Sequence, residues 1–181
     1  MNLFFIRAYG KDDGKKIPPL GLMYISSFLE KFGIKSEILD RYNSNITPEK
    51  ILQKSQYYKN VIVGISAMSC QYNDAIRLRK LLKDNASSKI VFGGTHFAAL
   101  PADGFKEFTV QGEGEQAFFN LLQNKSFFDH KIGEIITGKP LDNLDDIPVF
   151  SEKLIKETYL LSDEYPILTG RGCPYQCVFC L

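Results

Sequence analysis

Three of the four cysteines, Cys173, Cys177 and Cys180, follow one another with the spacing C-x3-C-x2-C. Three thiolates on one short loop can hold a single metal centre. They can ligate three irons of a four-iron cluster and leave the fourth iron open to bind and reduce something. The same spacing suits a zinc knuckle short of its fourth ligand, or a disulfide pair beside a free thiol. Spacing by itself leaves all three open.

A second set of residues could bind rather than react. Ser66-Ala67-Met68-Ser69-Cys70 offers small side chains and hydroxyls. Gly93-Gly94-Thr95-His96 and Gly112-Glu113-Gly114-Glu115 offer glycines that let a large group approach the backbone. Each stretch alone is an ordinary tight turn. Three of them on one edge favour a bulky flat ligand or a nucleotide tail. A dinucleotide fingerprint is excluded: no G-x-G-x-x-G follows the first apolar run, and Gly10 and Gly14 are wrongly spaced. A phosphate-accepting aspartate is also excluded, because Ser66 stands where it would be needed. Cys70 reads as a small buried residue beside a strand.

The elements that must position these loops are legible as alternating apolar runs and amphipathic stretches. Leu3–Ile6, Ser36–Leu39, Val61–Ser66, Lys89–Phe92 and Phe108–Val110 read as strands, the first and third being continuous apolar runs. Helices are expected over Leu20–Phe32, from Pro48 to about Tyr58, over Tyr72–Lys83 and over Glu115–Leu122. Gly33 caps the first, and Pro48 opens the second where its missing N–H costs nothing. Ile132–Thr137 reads as one more strand. This alternation predicts an α/β fold of the flavodoxin-like (Rossmann-like) doubly wound type. It has a parallel sheet of about five strands in the order 2-1-3-4-5, plus a C-terminal linker tail. In such a sheet ligands sit at the carboxyl ends of the strands, which is where the three small-residue loops fall.

Composition adds bounds. With 181 residues, 44% hydrophobic and 24% charged, the chain has the makings of an ordinary globular core. Twenty-two basic against 21 acidic residues give +1, so charge offers no argument for nucleic acid or a membrane surface. No apolar run is long enough to span a bilayer, and the apolar N-terminus is too short for a signal peptide. Cysteines clustered at one end suggest metal in a reducing, cytoplasmic compartment.

Two resemblances sharpen these readings. Arg171-Gly172-Cys173-Pro174-Tyr175 with Cys177, Phe179 and Cys180 is similar to the cluster motif of radical S-adenosylmethionine (SAM) enzymes, in the branch with an N-terminal cobalamin-binding domain. The resemblance implies a [4Fe-4S] cluster on Cys173, Cys177 and Cys180, with SAM on the open iron. It also makes Pro166–Thr169 the first strand of a (β/α) barrel. Ser66-Ala67-Met68 followed by Gly93-Gly94 resembles the S-x-L…G-G pattern of cobalamin-binding domains, with methionine for leucine. Pro19-Leu20-Gly21, Gly93-Gly94-Thr95-His96 and Gly112-Glu113-Gly114-Glu115 likewise resemble the cofactor-facing loops of that family. The usual D-x-H-x-x-G is missing after the first strand, and the only histidines are His96 and His130. Cobalamin is therefore expected base-off, without a protein histidine on cobalt.

The expected layout is a cobalamin-binding domain over 1–138, a linker over 139–165, and the start of a truncated barrel over 166–181. Such a fragment would bind cobalamin without catalysing by itself. Its parent would perform methyl transfer or radical cyclisation, partnered by small-molecule cofactors and a substrate the sequence does not name. RNA-modifying methylthiotransferases are similar in architecture but need three further cysteines, where only Cys70 exists. The competing reading is a stand-alone flavodoxin-type ligand-binding or sensor module whose cysteine tail binds zinc or nothing.

Overall fold

The computed structural model describes residues 2–10, 17–42, 45–129, 133–158, 166–175 and 177–178. Six parallel strands form one sheet in the order 2-1-3-4-5-6. They are β1 (Asn2–Arg7), β2 (Glu37–Asp40), β3 (Val61–Ser66), β4 (Ser88–Gly93), β5 (Phe108–Gly112) and β6 (Ile135–Gly138). The order extends the expected one by a strand, since Ile135–Gly138 pairs with β5 through Thr109↔Ile135 to Gly112↔Gly138.

Strand period explains the layers. In β1, Leu3 and Phe5 point to one face while Phe4 and Ile6 point to the other, and all four are buried. Each face therefore has its own core. One core joins Phe4, Ile6, Val63, Ile65 and Phe92 to helices α2 (Pro48–Tyr57) and α3 (Tyr72–Asn85). The other joins Leu3, Phe5, Ile62 and Val91 to α1 (Leu20–Glu30) and α5 (Gly114–Gln123). Helix α2 begins as its sequence implies: Pro48 opens it, and the Thr47 hydroxyl accepts from Lys50 N at 3.3 Å.

Three short helices were not expected. They are α4 (Thr95–Ala99), α6 (Lys125–Asp129) and α7 (Glu152–Thr158). Helix α4 carries Phe97, fully buried and stacked on Phe92 at 4.2 Å between ring centroids. Helix α7 lies inside the stretch read as a linker, yet it packs on α1. Leu154 joins Met23 in a small core, and Thr158 Oγ1 lies 3.3 Å from Met23 Sδ. Pro166–Thr169, expected as a barrel strand, is irregular chain and pairs with none of the six strands. No described helix is long and apolar enough to cross a membrane.

Gly64, in the middle of β3, fixes how closely the sheet meets α5. A Cβ there would lie 2.7 Å from Phe5 Cδ1 and 3.4 Å from Phe118 Cε2, whose rings meet edge-on at 5.0 Å. Overpacking a filled core costs about 1–3 kcal/mol. Gly64→Ala is expected to lower unfolding stability within that range, as read from the midpoint of a urea titration.

Candidate functional site

The carboxyl ends of β1, β3, β4 and β5 open into a cavity of about 430 Å³ between the sheet, α1 and α5. This is the size class of small-molecule sites. Its floor is apolar, built by Phe5, Gly64, Val91, Val110 and Phe118. Gly21, Leu22, Tyr24 and Ile25 of α1 form one wall. Ser66, Gly93 and Gly94 form the rim at β3 and β4, and the run Gly112 to Glu115 forms it at β5. Leu168, Gly170, Arg171 and Gly172 complete the lining from the C-terminal segment.

The structure brings together Gly21, Ser66, Gly93, Gly94, Gly112, Glu113, Gly114 and Glu115, as the loop reading expects. Six of the candidate residues lie outside the lining. Pro19 precedes α1, and Leu20 packs toward Met23 and the α7 side. Ala67 is buried and holds neighbouring loops together, its N donating to Gly93 O at 3.1 Å and its O accepting from His96 N at 3.1 Å. Met68 is half exposed, with its N bonded to Gln71 Oε1 at 2.9 Å.

Thr95 and His96 begin α4, and His96 turns toward the α3 core. His96 is buried under Tyr72, with ring centroids 4.5 Å apart. Its Nδ1 lies 3.1 Å from Ser69 Oγ. Its Nε2 lies 3.2 Å from Asp103 Oδ2 but off hydrogen-bonding alignment. Its contacts are those of a loop brace. His130 lies outside the described residues. Cys70 is exposed on a short turn rather than buried, a correction that follows from the chain leaving the sheet at Ser66.

The glycines divide by purpose. Gly94 has φ +89° and ψ 172°, and a Cβ there would meet Ala67 N and O at 2.7 Å. Gly112 has φ +87°, and its Cβ would meet Gly138 O at 2.5 Å. Both are required by packing of chain on chain. Gly114 faces Ile25 of α1, which a Cβ would meet at 2.5 Å. Gly93 differs: its nearest contact would be Val110 O at 4.0 Å, so it borders open space in the cavity.

The strongest electrostatic feature sits at the rim. The Arg171 guanidinium donates to Glu113 Oε2 from one nitrogen and to Glu115 Oε1, at 2.7 Å, from another. It also lies 4.9 Å from the Tyr24 ring centroid. Burial works against its charge, but bonds and charge from Glu115 and Glu113 outweigh burial and hold its pKa above the ordinary range. Glu115 is only 2% exposed, in the first turn of α5, where the helix dipole favours an anion. Sequence reading placed Arg171 only as a flank of the cysteine motif. Cys173 and Cys177 follow as exposed free thiols, and Cys180 lies outside the described residues. Among the described residues no three metal-ligating side chains converge.

These features define a class: a flavodoxin-like α/β domain with a ligand cavity at its strand ends. A family model for the B12 binding domain matches residues 6–122, and the chain belongs to that family. It is also 30% identical, over 186 aligned positions, to an uncharacterised methyltransferase of Pyrococcus horikoshii. That match covers 90% of this chain and 40% of the relative, so the chain spans less than half of its length. Two solved structures of the radical S-adenosylmethionine methyltransferase TsrM from Kitasatospora setae share the fold at TM-score 0.55 and 17% identity. One has cobalamin and a [4Fe-4S] cluster bound and matches 68% of this chain and 24% of that one. The other has tryptophan substrate and a SAM analogue bound and matches 67% and 25%.

Gly94 tests whether the rim loop depends on its backbone. Alanine there meets both a glycine-only conformation, costing about 1–3 kcal/mol, and the Ala67 backbone. Gly94→Ala is expected to destabilise the fold by at least the lower figure, measured by thermal unfolding beside the parent protein.

Proposed function

We propose that this chain is the cobalamin-binding part of a radical SAM enzyme of the methyltransferase type. The observation that carries the proposal is the cavity at the strand ends, open at Gly93 and walled by the residues that lead directly into Cys173. The donor set suits the group. An apolar floor fits the flat base of a nucleotide tail, Ser66 offers a hydroxyl, and Gly93 leaves room for it to pass. A cavity of about 430 Å³ suits such a tail and leaves the much larger corrin over the strand ends. When bound, cobalamin would supply a carrier for a methyl group.

No histidine lines the cavity among the described residues, and His96 faces the opposite core. With its nucleotide tail held in the cavity, the cofactor would be base-off. Cys173, Cys177 and Cys180 would hold a [4Fe-4S] cluster, and SAM would occupy its open iron. The domain's own residues would bind and orient the cofactor and keep water from one face of it. Catalysis would need the further polypeptide that the longer relative has. Cysteines clustered for metal binding near one end of the sequence fit a reducing, cytoplasmic setting.

Purified protein mixed with hydroxocobalamin is expected to carry corrin absorbance through gel filtration. Gly93→Leu, whose Cβ would meet nothing closer than 4.0 Å, is expected to lose that absorbance while unfolding at the parent's midpoint. Colourless parent protein sinks the cofactor reading. For the cluster, anaerobic treatment with iron and sulfide of a polypeptide continuing past Leu181 is expected to yield a visible iron–sulfur spectrum. Cys173→Ala should abolish it; a spectrum unchanged by that substitution counts against these ligands.

A further inference from the structure

Resting on the cofactor reading above, we infer that Arg171 is a positioning residue: its fork onto Glu113 and Glu115 holds the cysteine loop at the mouth of the cofactor cavity. The argument begins with Glu115. A carboxylate 2% exposed is costly unless its charge is matched. The first turn of α5 supplies part of the match. Among the described residues, the cation recorded against it is Arg171, from 56 positions along the chain. The domain body is therefore electrostatically incomplete until the C-terminal segment docks.

The geometry of the fork does more than neutralise. A planar guanidinium reaching the carboxylates of the α5 N-cap residue Glu113 and of Glu115 in its first turn, with Tyr24 against its face, fixes orientation as well as distance. Gly170 and Gly172 flank it and have nothing within 4 Å of an added Cβ, so the chain is not packed at either glycine. The Arg171 side chain between them is held at both carboxylates. Cys173 is two residues beyond, so the fork that closes the cavity wall also sets where the first cysteine stands. Ligand and cluster loop then share one wall, and a change on either side is felt by the other.

Trypsin reads this directly, because it cuts after Arg171 and needs that side chain free. Cleavage under native conditions follows the population of the open form. The Arg171–Gly172 bond of the parent protein is expected to resist trypsin. In Glu113→Gln/Glu115→Gln it should be cut faster by about tenfold or more, the equivalent of roughly 1.4 kcal/mol of docking. Cleavage at Lys153 and Lys156, upstream on α7, should not change. Glu113→Gln alone leaves the buried Glu115 in place and should give a smaller increase, which guards against a double variant that fails to fold.

Arg171→Lys keeps a trypsin site but cannot fork. It should be cut at an intermediate rate. Equal cleavage at position 171 in parent and variants overturns the inference. Hydroxocobalamin retention in the same samples separates the two ideas. Colourless parent protein with a protected bond overturns the cofactor reading and upholds the latch. Coloured protein with an unprotected bond upholds the cofactor reading and overturns the latch.

Discussion

A parallel sheet covered on both faces can meet a ligand only at its strand ends, and everything else in this molecule follows from that constraint. β1 lies between β2 and β3, so the chain leaves it on one side and returns on the other. The crevice opens at that reversal. Phe5, Val91, Val110 and Phe118 make its floor apolar for the same reason that they make a core, because they are the interior side of strands and helix. Cavity and core are one surface, filled by side chains further down and left open at the top.

The rim shows how much of a glycine-rich loop serves the protein itself. Gly112 makes room for the carbonyl of Gly138 on the neighbouring strand, Gly114 for Ile25 on α1, and Gly94 for the loop after β3. Only then does Gly93 stand free before the cavity. A motif of small residues at strand ends is thus partly a statement about close chain packing and partly about a ligand. The two meanings separate residue by residue once the neighbours of each missing side chain are known.

The sheet was legible in the sequence because its strands carry continuous apolar runs, Val61–Ser66 above all, and its main helices carry clear apolar faces. β6 was legible in kind, though it begins at Ile135 rather than Ile132. The short helices were not. Thr95–Ala99 and Lys125–Asp129 are too brief to show a period, and Glu152–Thr158 has only Leu154 and Ile155 to signal its packing. Ser66, Gly93 and the loop from Gly112 to Glu115 were placed at the rim because position after a strand predicts it, whereas Gly21, on α1, came only from the family resemblance. Arg171 could not be found in that role, since its partners lie 56 and 58 residues away. Gly64 was hidden inside an apolar run. Sequence could not decide between a cofactor contact and a loop brace for His96, because a polar ring after a strand faces either the cavity or the opposite core, and packing against Tyr72 decides which.

Helix α7 gives the connection between β6 and the rim a second meaning. Because Leu154 and Thr158 are anchored on Met23, and Phe150 lies against Tyr24, the chain is pinned to α1 shortly before it reaches the cavity. Arg171 and its carboxylates belong to one chain, so their contact forms within the molecule rather than between molecules. An exposed ion pair is worth about 1 kcal/mol or less, whereas here Glu115 is shielded from water and its match by Arg171 comes from the same chain. The packing of α7 on α1 and the contact of Arg171 with Glu113 and Glu115 thus fasten the C-terminal part of the chain to the domain at two separate places.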